Sequence, residues 1–373
     1  MYERDISKQV VSKFGTGKAI VIVGARQVGK TTLIREFLKE SDYLFLDGDD
    51  PTVRAVLTHP NTEQIRRIIG AKRVVFIDEA QRIQGIGITS KIITDQFKDV
   101  QLIVSGSSSF DLSSQINEPL TGRKWEYELF PISFCEYEKK HGYLTALQQI
   151  ENRLLFGFYP EILNNEGEEI PRLKQLVNSY LYADILSYSK IRKPQIVEKL
   201  VQALALQIGC EVSYNELSQT VGVDKNTIIS YIDILEKAYV VFRLKSFSKN
   251  LRNEIRKNRK IYFYDLGVRN MVIGDFRNIQ LRQDKGALWE SFLIVEKLKQ
   301  NRYSQNLAKS YFWRTKHQQE VDYVEVREQG VFGFEFKWNV KGKTRRSKTF
   351  EKAYNTKVQV IDRDNFREFL ELD

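Results

Sequence analysis

The sequence predicts an α/β protein: a parallel sheet covered by helices, then helical segments, a small three-helix region with a hairpin, and an α+β C-terminal third. Three observations predict it. The first third alternates short β-branched or aromatic runs at 19–23, 43–46, 74–77 and 101–104 with amphipathic stretches, the pattern of a parallel sheet buried on both faces. From Pro131 the apolar spacing lengthens to near 3.6 over 132–140, 144–156 and 172–187, which reads as helix. A chain of 373 residues also exceeds one domain at roughly 150 residues each.

The first strand runs directly into Gly24-Ala25-Arg26-Gln27-Val28-Gly29-Lys30-Thr31, followed by a helical run from Thr32. This is the G-x-x-x-x-G-K-[ST] phosphate loop in its required strand-to-helix setting. The glycines let backbone N–H groups turn inward, the helix N-terminus favours phosphate, Lys30 reaches the terminal phosphates and Thr31 offers its hydroxyl to Mg²⁺. The run at 74–77 ends in Asp78 and Glu79, so Asp78 is the candidate to hold the metal with Thr31, and Glu79 to polarise a water for attack on the γ-phosphate. Ser105, ending the run at 101–104, is either a γ-phosphate sensor or a turn serine. Arg123 is either a cation for the charge that develops in phosphoryl transfer or a surface partner of Glu126. Because no Asn-Lys-x-Asp guanine-reading element occurs, ATP is expected over GTP. The stretch 2–11, lying before the first strand, is the candidate for contacting the base.

The middle of the chain reads as a winged helix: helices at 196–208, 214–221 and 225–238, then strands at 240–245 and 260–264 around a tip. That tip carries Lys249, Arg252, Arg256, Lys257 and Arg259 against Glu254 alone. In a winged helix the third helix enters the major groove and the wing touches backbone, so Lys225, Asn226, Ser230 and Asp233 are the exposed candidates. A protein-contact role fits the pattern equally. After a helix at 286–300, strands are expected at 311–314, 321–326 and 331–338, with a last strand and helix from Val358. On 331–338, Phe332, Phe334, Phe336 and Trp338 share one face and Glu335 and Lys337 the other. Lys341, Lys343, Arg345, Arg346 and Lys348 then form a basic run, either a track for phosphates or a solvated loop.

Composition narrows the remaining classes. Lys and Arg number 58 against 48 Asp and Glu, a formal charge of +10, which favours acidic partners. Cys135 and Cys210, and His59, His141 and His317, are scattered, which excludes a disulfide framework or a zinc site built on sequence spacing. No apolar run reaches a bilayer span and the N-terminus is charged, so a cytoplasmic protein is expected.

These residues resemble the AAA-type P-loop ATPases of bacteria and archaea with a C-terminal domain of unknown function. The likeness runs nearly end to end: Gly24-Ala-Arg-Gln-Val-Gly-Lys-Thr-Thr-Leu33, Phe76-Ile-Asp-Glu-Ala-Gln81, Leu120-Thr-Gly-Arg123, Leu129-Phe-Pro-Ile-Ser-Phe134, Gly157-Phe-Tyr-Pro-Glu161, Tyr262-Phe-Tyr-Asp-Leu-Gly267, Trp289-Glu290 and Glu320-Val-Asp322. One departure is Phe156, where relatives commonly carry a glycine before Gly157. The resemblance implies ATP binding over Gly24 to Thr32 (Thr32 included), Mg²⁺-dependent hydrolysis, a winged-helix region and a nuclease-like C-terminal domain. In that domain Glu290, Asp322, Glu335 and Lys337 are similar to the acid, then Glu-x-Lys pattern of restriction endonucleases, with Asp322 meeting Glu335 around Mg²⁺; alternation alone also produces a sheet with one aromatic and one charged face. The expected organisation is a P-loop ATPase core at 1–135, a helical lid or linker at 136–190, a winged helix at 191–265 and a restriction-endonuclease-like domain at 266–373. The expected partners are ATP or ADP, with DNA at the wing and the C-terminal basic segment or else a protein partner. An oligomer is compatible with each, and no membrane is expected.

Overall fold

The computed structural model describes residues 1–107, 116–179, 185, 193–248, 259–315, 317–339 and 347–372. They form two compact units, Met1–Ile132 with Lys237–Tyr239, and Ser133–Glu236 with Val240–Asp373. The basic tip residues Lys249, Arg252, Arg256 and Lys257, the run Lys341, Lys343, Arg345 and Arg346, and most of 180–192 lie outside the described residues.

The first unit holds five parallel strands, β1 (Ala19–Gly24), β2 (Tyr43–Asp47), β3 (Val74–Asp78), β4 (Gln101–Gly106) and β5 (Lys124–Leu129), in the order β2-β3-β4-β1-β5. Every residue of β1, β3 and β4 is buried, which is why these central strands are nearly uninterrupted apolar sequence. Because all five run the same way, Gly24, Asp47, Asp78, Gly106 and Leu129 end on one rim. That rim is where an open α/β sheet binds its ligands. β5 was not foreseen. Its Lys124, Glu126 and Glu128 alternate with Trp125, Tyr127 and Leu129, a half-buried edge-strand pattern.

The second unit is built on a seven-stranded mixed sheet: β6 (Glu211–Val212), β7 (Val241–Ser246), β8 (Arg259–Phe263), β9 (Lys309–Arg314), β10 (Glu320–Arg327), β11 (Gly330–Phe336) and β12 (Val358–Ile361), ordered β12-β11-β10-β9-β7-β8-β6. Helices Pro194–Leu206, Tyr214–Val221 and Lys225–Lys237 precede the antiparallel hairpin β7–β8, whose outer side carries β6. β7 pairs with β9 in parallel at Lys245↔Tyr311 and Ser246↔Phe312. The strands expected in segments 191–265 and 266–373 thus share one sheet rather than closing separately. β9, β10 and β11 form an antiparallel meander with a bulge in β10 between Val321 and Val324, at Asp322 and Tyr323. The helix Lys285–Tyr303 is buried on nearly every side, Trp289 completely.

Two of the sequence motifs interlock in this unit. The Asp265 carboxylate accepts the N–H groups of Phe158 at 2.7 Å and Val268 at 3.1 Å. A Cβ on Gly157 would lie 2.1 Å from Asp265 Oδ1, and one on Gly267 2.1 Å from the Phe156 carbonyl; no side chain fits either place. Nearby, fully buried Asn270 donates to the carbonyls of Leu154 and Leu155 at the end of helix Tyr143–Phe156, satisfying groups that a helix terminus leaves unpaired. Among the described residues no helix is long and apolar enough to cross a membrane.

Candidate nucleotide site and C-terminal acid cluster

Gly24 ends β1 against the backbone of β5: an added Cβ would stand 2.1 Å from the Leu129 carbonyl oxygen. The loop turns through Gln27 at φ +59° and enters helix Lys30–Phe37 at Gly29, φ +96°, a conformation that glycine adopts without steric cost. Arg4, which is buried, braces the loop. Its guanidinium donates to Val28 O at 2.8 Å and Phe130 O at 2.6 Å. The expected base-contacting stretch 2–11 thus supplies a strut for the phosphate loop, one that its sequence did not signal.

Lys30 is 5% exposed, and its ammonium donates to the carbonyls of Gly24 at 3.1 Å and Ala25 at 2.8 Å. Burial pulls its pKa down to about 8, with Arg26 acting the same way and the carboxylates of Glu79 and Asp78 opposing. Asp78, at the end of β3, is held by three donors: Thr31 Oγ1 to Oδ2 at 2.6 Å, with the Ser105 hydroxyl and the Glu79 N–H, the latter at 3.1 Å, both on Oδ1. Glu79 turns at φ +45°. Gly48 makes room for that turn, since a Cβ there would lie 2.4 Å from Glu79 O. The Glu79 carboxylate accepts from Gln81 Nε2 at 2.6 Å, and the same nitrogen donates to Ser107 Oγ at 2.9 Å.

The rim therefore joins Gly24 through Thr31, Asp78, Glu79 and Ser105; Thr32 follows in the first turn of the helix. Ser105 is fully buried and its hydroxyl donates to Asp78 Oδ1. Arg123 is not at this rim. It precedes β5, its carbonyl accepts the Ala19 N–H, and its guanidinium pairs with Asp95 at 2.7 Å, not with Glu126. Six residues of strand at ~3.3 Å each put it roughly 20 Å from the loop in the same chain. The reason is topological: parallel pairing of β1 and β5 sends residue 123 to the opposite edge. Gln81, Ser107, Gly48 and Arg4 were the residues sequence reasoning passed over; only Gln81 had a signal, its place in Phe76-Ile-Asp-Glu-Ala-Gln81.

A divalent ion fits this rim. Thr31 Oγ1 and Asp78 Oδ2 converge beside the phosphate loop, a hydroxyl and carboxylate pair suited to a hard, oxygen-loving cation that nucleotide phosphates and water complete.

In the second unit, Glu290 on helix Lys285–Tyr303 and Asp322 in the β10 bulge do face a common cluster, but its centre is Lys260 of β8. Lys260 Nζ lies 2.9 Å from Glu290 Oε1 and 2.5 Å from Glu320 Oε1, and Tyr262 OH donates to Glu290 Oε1 at 2.6 Å. Asp322 Oδ2 accepts the Phe336 N–H at 2.8 Å. Glu335 is buried and, one step beyond the paired Tyr323 and Phe334, lies across from Asp322; Lys337 follows β11. The face bearing Glu335 is covered, not solvated, because helix Lys348–Tyr354 lays Phe350 against Gly333. Burial opposes charge on Lys260, but Glu290, Glu320 and Asp322 outweigh it and hold the ammonium above its usual range. Burial pushes Glu290 up to about 7 against the pull of Lys260, and Asp322 adds to the rise. Burial likewise raises Asp322, opposed by Lys260 and Lys337. Among the described residues no group of three or more His, Cys, Asp or Glu is placed to hold a metal.

On helix Lys225–Lys237, Lys225, Asn226 and Ser230 are exposed while Ile228, Tyr231, Ile232, Ile234 and Leu235 are buried. Asp233 is tied in an ion pair to Arg243, which also lies 3.3 Å from Glu236.

Residues 16–138 match the family model of an AAA domain, 147–278 that of a domain of unknown function, DUF8612, and 285–368 that of another, DUF4143. The second match spans both the expected helical segment and the expected winged helix. The uncharacterized protein Rv2008c of Mycobacterium tuberculosis is 26% identical over 341 residues, covering 90% of this chain and 73% of that protein. The uncharacterized protein MJ1544 of Methanocaldococcus jannaschii is 23% identical over 372 residues, covering 93% and 81%. Of the solved structures, the Walker-type ATPase PABY2304 of Pyrococcus abyssi is similar in fold, with a TM-score of 0.51 at 15% identity over 73% of this chain and 96% of that one.

Proposed function

We propose that this chain, whose residues 16–138 match an AAA domain and 285–368 a domain of unknown function, hydrolyses ATP with Mg²⁺ and couples nucleotide state to DNA bound by its second unit. The observation that carries the reading is the convergence of Lys30, Thr31, Asp78 and Glu79 on one sheet rim beside the glycine-bracketed loop. Thr31 and Asp78 would hold the ion, whose part is to neutralise phosphate oxygens. Lys30 exchanges two backbone carbonyls for nucleotide phosphates, so its ammonium is already buried and aimed before binding. Glu79 accepts the proton of the attacking water, and the Gln81 amide fixes that carboxylate. Ser105 keeps Asp78 oriented.

For DNA, the support is the +10 charge and the exposed Lys225, Asn226 and Ser230 on the third helix of a three-helix and hairpin arrangement read as a winged helix. A second reading, a nucleotide-controlled switch acting on a protein partner, draws on the closure of the acid cluster by Lys260. One experiment separates them: ATP turnover with and without single- and double-stranded DNA, together with DNA affinity against salt. The DNA reading expects stimulation and an affinity that falls steeply with salt, as neutralised phosphates require; absence of binding at low salt leaves the protein-partner reading. Lys30→Ala should abolish turnover, and unchanged turnover would remove the loop from the chemistry.

A further inference from the structure

Three carboxylates, Glu290, Glu320 and Asp322, crowd one place in the second unit, an arrangement that in a nuclease would surround Mg²⁺. One oxygen of each is already committed. Glu290 Oε1 takes both Lys260 Nζ and Tyr262 OH, Glu320 Oε1 takes Lys260 Nζ, and Asp322 Oδ2 takes the Phe336 N–H. Magnesium requires near-octahedral oxygen at about 2.0–2.1 Å and parts with water reluctantly; an ammonium within 3 Å of two of the acids occupies that ground.

We infer that Lys260 is the resident cation of this cluster, standing where a metal would otherwise sit, and that the C-terminal unit is a metal-free module that does not cut DNA. The physical case is desolvation. Lys260 is 1% exposed, and a buried ammonium survives only when paired. Lys260 and Tyr262 are two apart on β8, so both side chains leave the same face and reach the same oxygen of Glu290. The Phe312 ring, 5.6 Å from Nζ, closes one side with a face that favours a cation. The β10 bulge falls at Asp322, whose Oδ2 is taken by the Phe336 N–H.

The test uses the nucleotide-free full chain carrying Asp78→Asn, which removes the carboxylate that with Thr31 would hold an ion at the phosphate loop, titrated with Mn²⁺ by calorimetry and electron paramagnetic resonance and incubated with plasmid DNA. With Lys260 present, no saturable Mn²⁺ site and no nicking are expected. A saturable site lost on Asp322→Asn would overturn the inference, as would Mn²⁺-dependent nicking lost on Glu335→Ala. Adding Lys260→Met should lower Tm by roughly 10 °C, because it leaves buried acids unpaired, and should create one Mn²⁺ site per chain that restores much of that loss. A folded Lys260→Met protein that takes up no Mn²⁺ would refute the placement of Lys260 in the metal's position. If Lys260→Met does not fold, the Mn²⁺ titration with Lys260 in place still decides. The outcome is independent of the ATPase reading.

Discussion

Lys30 offers a quantitative test of the nucleotide site, because its burial changes how ATP affinity depends on pH. The free protein holds the Lys30 pKa at about 8, while bound phosphates favour the ammonium and so raise it. The sign follows: binding takes up a proton once pH exceeds the free value, and affinity is full below 8 and lost above it. With a free pKa of about 8, the protonated fraction falls from about 0.9 at pH 7 to about 0.1 at pH 9, so Kd should weaken about tenfold, or about 1.4 kcal/mol. The assay is calorimetric titration of ATP with saturating Mg²⁺ at constant ionic strength, in a Glu79→Gln background to suppress turnover. Lys30→Arg supplies the control: a guanidinium stays charged throughout, so its affinity, though weaker, should be flat across the same range. Equal Kd at pH 7 and 9 for the lysine protein would refute the buried, phosphate-directed ammonium.

The other predictions probe the supports. Glu79→Gln should leave ATP affinity unchanged and lower kcat by roughly 10²–10⁴-fold; loss of binding in calorimetry would argue against its role as base. Arg4→Ala strands the carbonyls of Val28 and Phe130, so urea unfolding should show about 1–3 kcal/mol of lost stability, with weaker ATP binding; unchanged stability would mean that Arg4 is not a strut. Gly157→Ala forces a methyl group to 2.1 Å from Asp265 Oδ1 and should cost more than about 3 kcal/mol, visible as a fall in Tm, whereas wild-type Tm would show that the turn can yield.

The nucleotide rim was readable because its determinants are local. A buried strand, a glycine-bracketed turn and a helix start sit within about twenty consecutive residues, and an apolar strand ending in Asp78 and Glu79 carries its own direction. β5 was not readable, since the charges of Lys124, Glu126 and Glu128 disguise an edge strand. The position of Arg123 depended on that strand, because only the pairing of β5 with β1 decides which edge residue 123 occupies. Lys260 was hidden for a different reason. It follows the basic stretch that ends at Arg259 and reads as one more solvated charge, yet Glu290 and Glu320, 30 and 60 residues away, pull it into a dry interior. The polar face of β11 misled in the same way: alternation of Phe334, Glu335, Phe336 and Lys337 fixes two faces but not what covers the second. Among the motifs, Gly157-Phe158 and Asp265-Leu-Gly267 carry a packing role rather than a chemical one.

That interlock also dictates when the second unit can become whole. The Phe158 amide waits 107 residues for the Asp265 carboxylate, and the hairpin strand β7 waits for β9. Residues emerging early from the ribosome therefore expose apolar helix faces until almost the entire chain has been made, and closure over such separations is slow. Segment 191–265 expressed alone would lack the partners of Asp265 and Lys260, and should behave as an open, aggregation-prone fragment rather than as a small independent DNA-binding head.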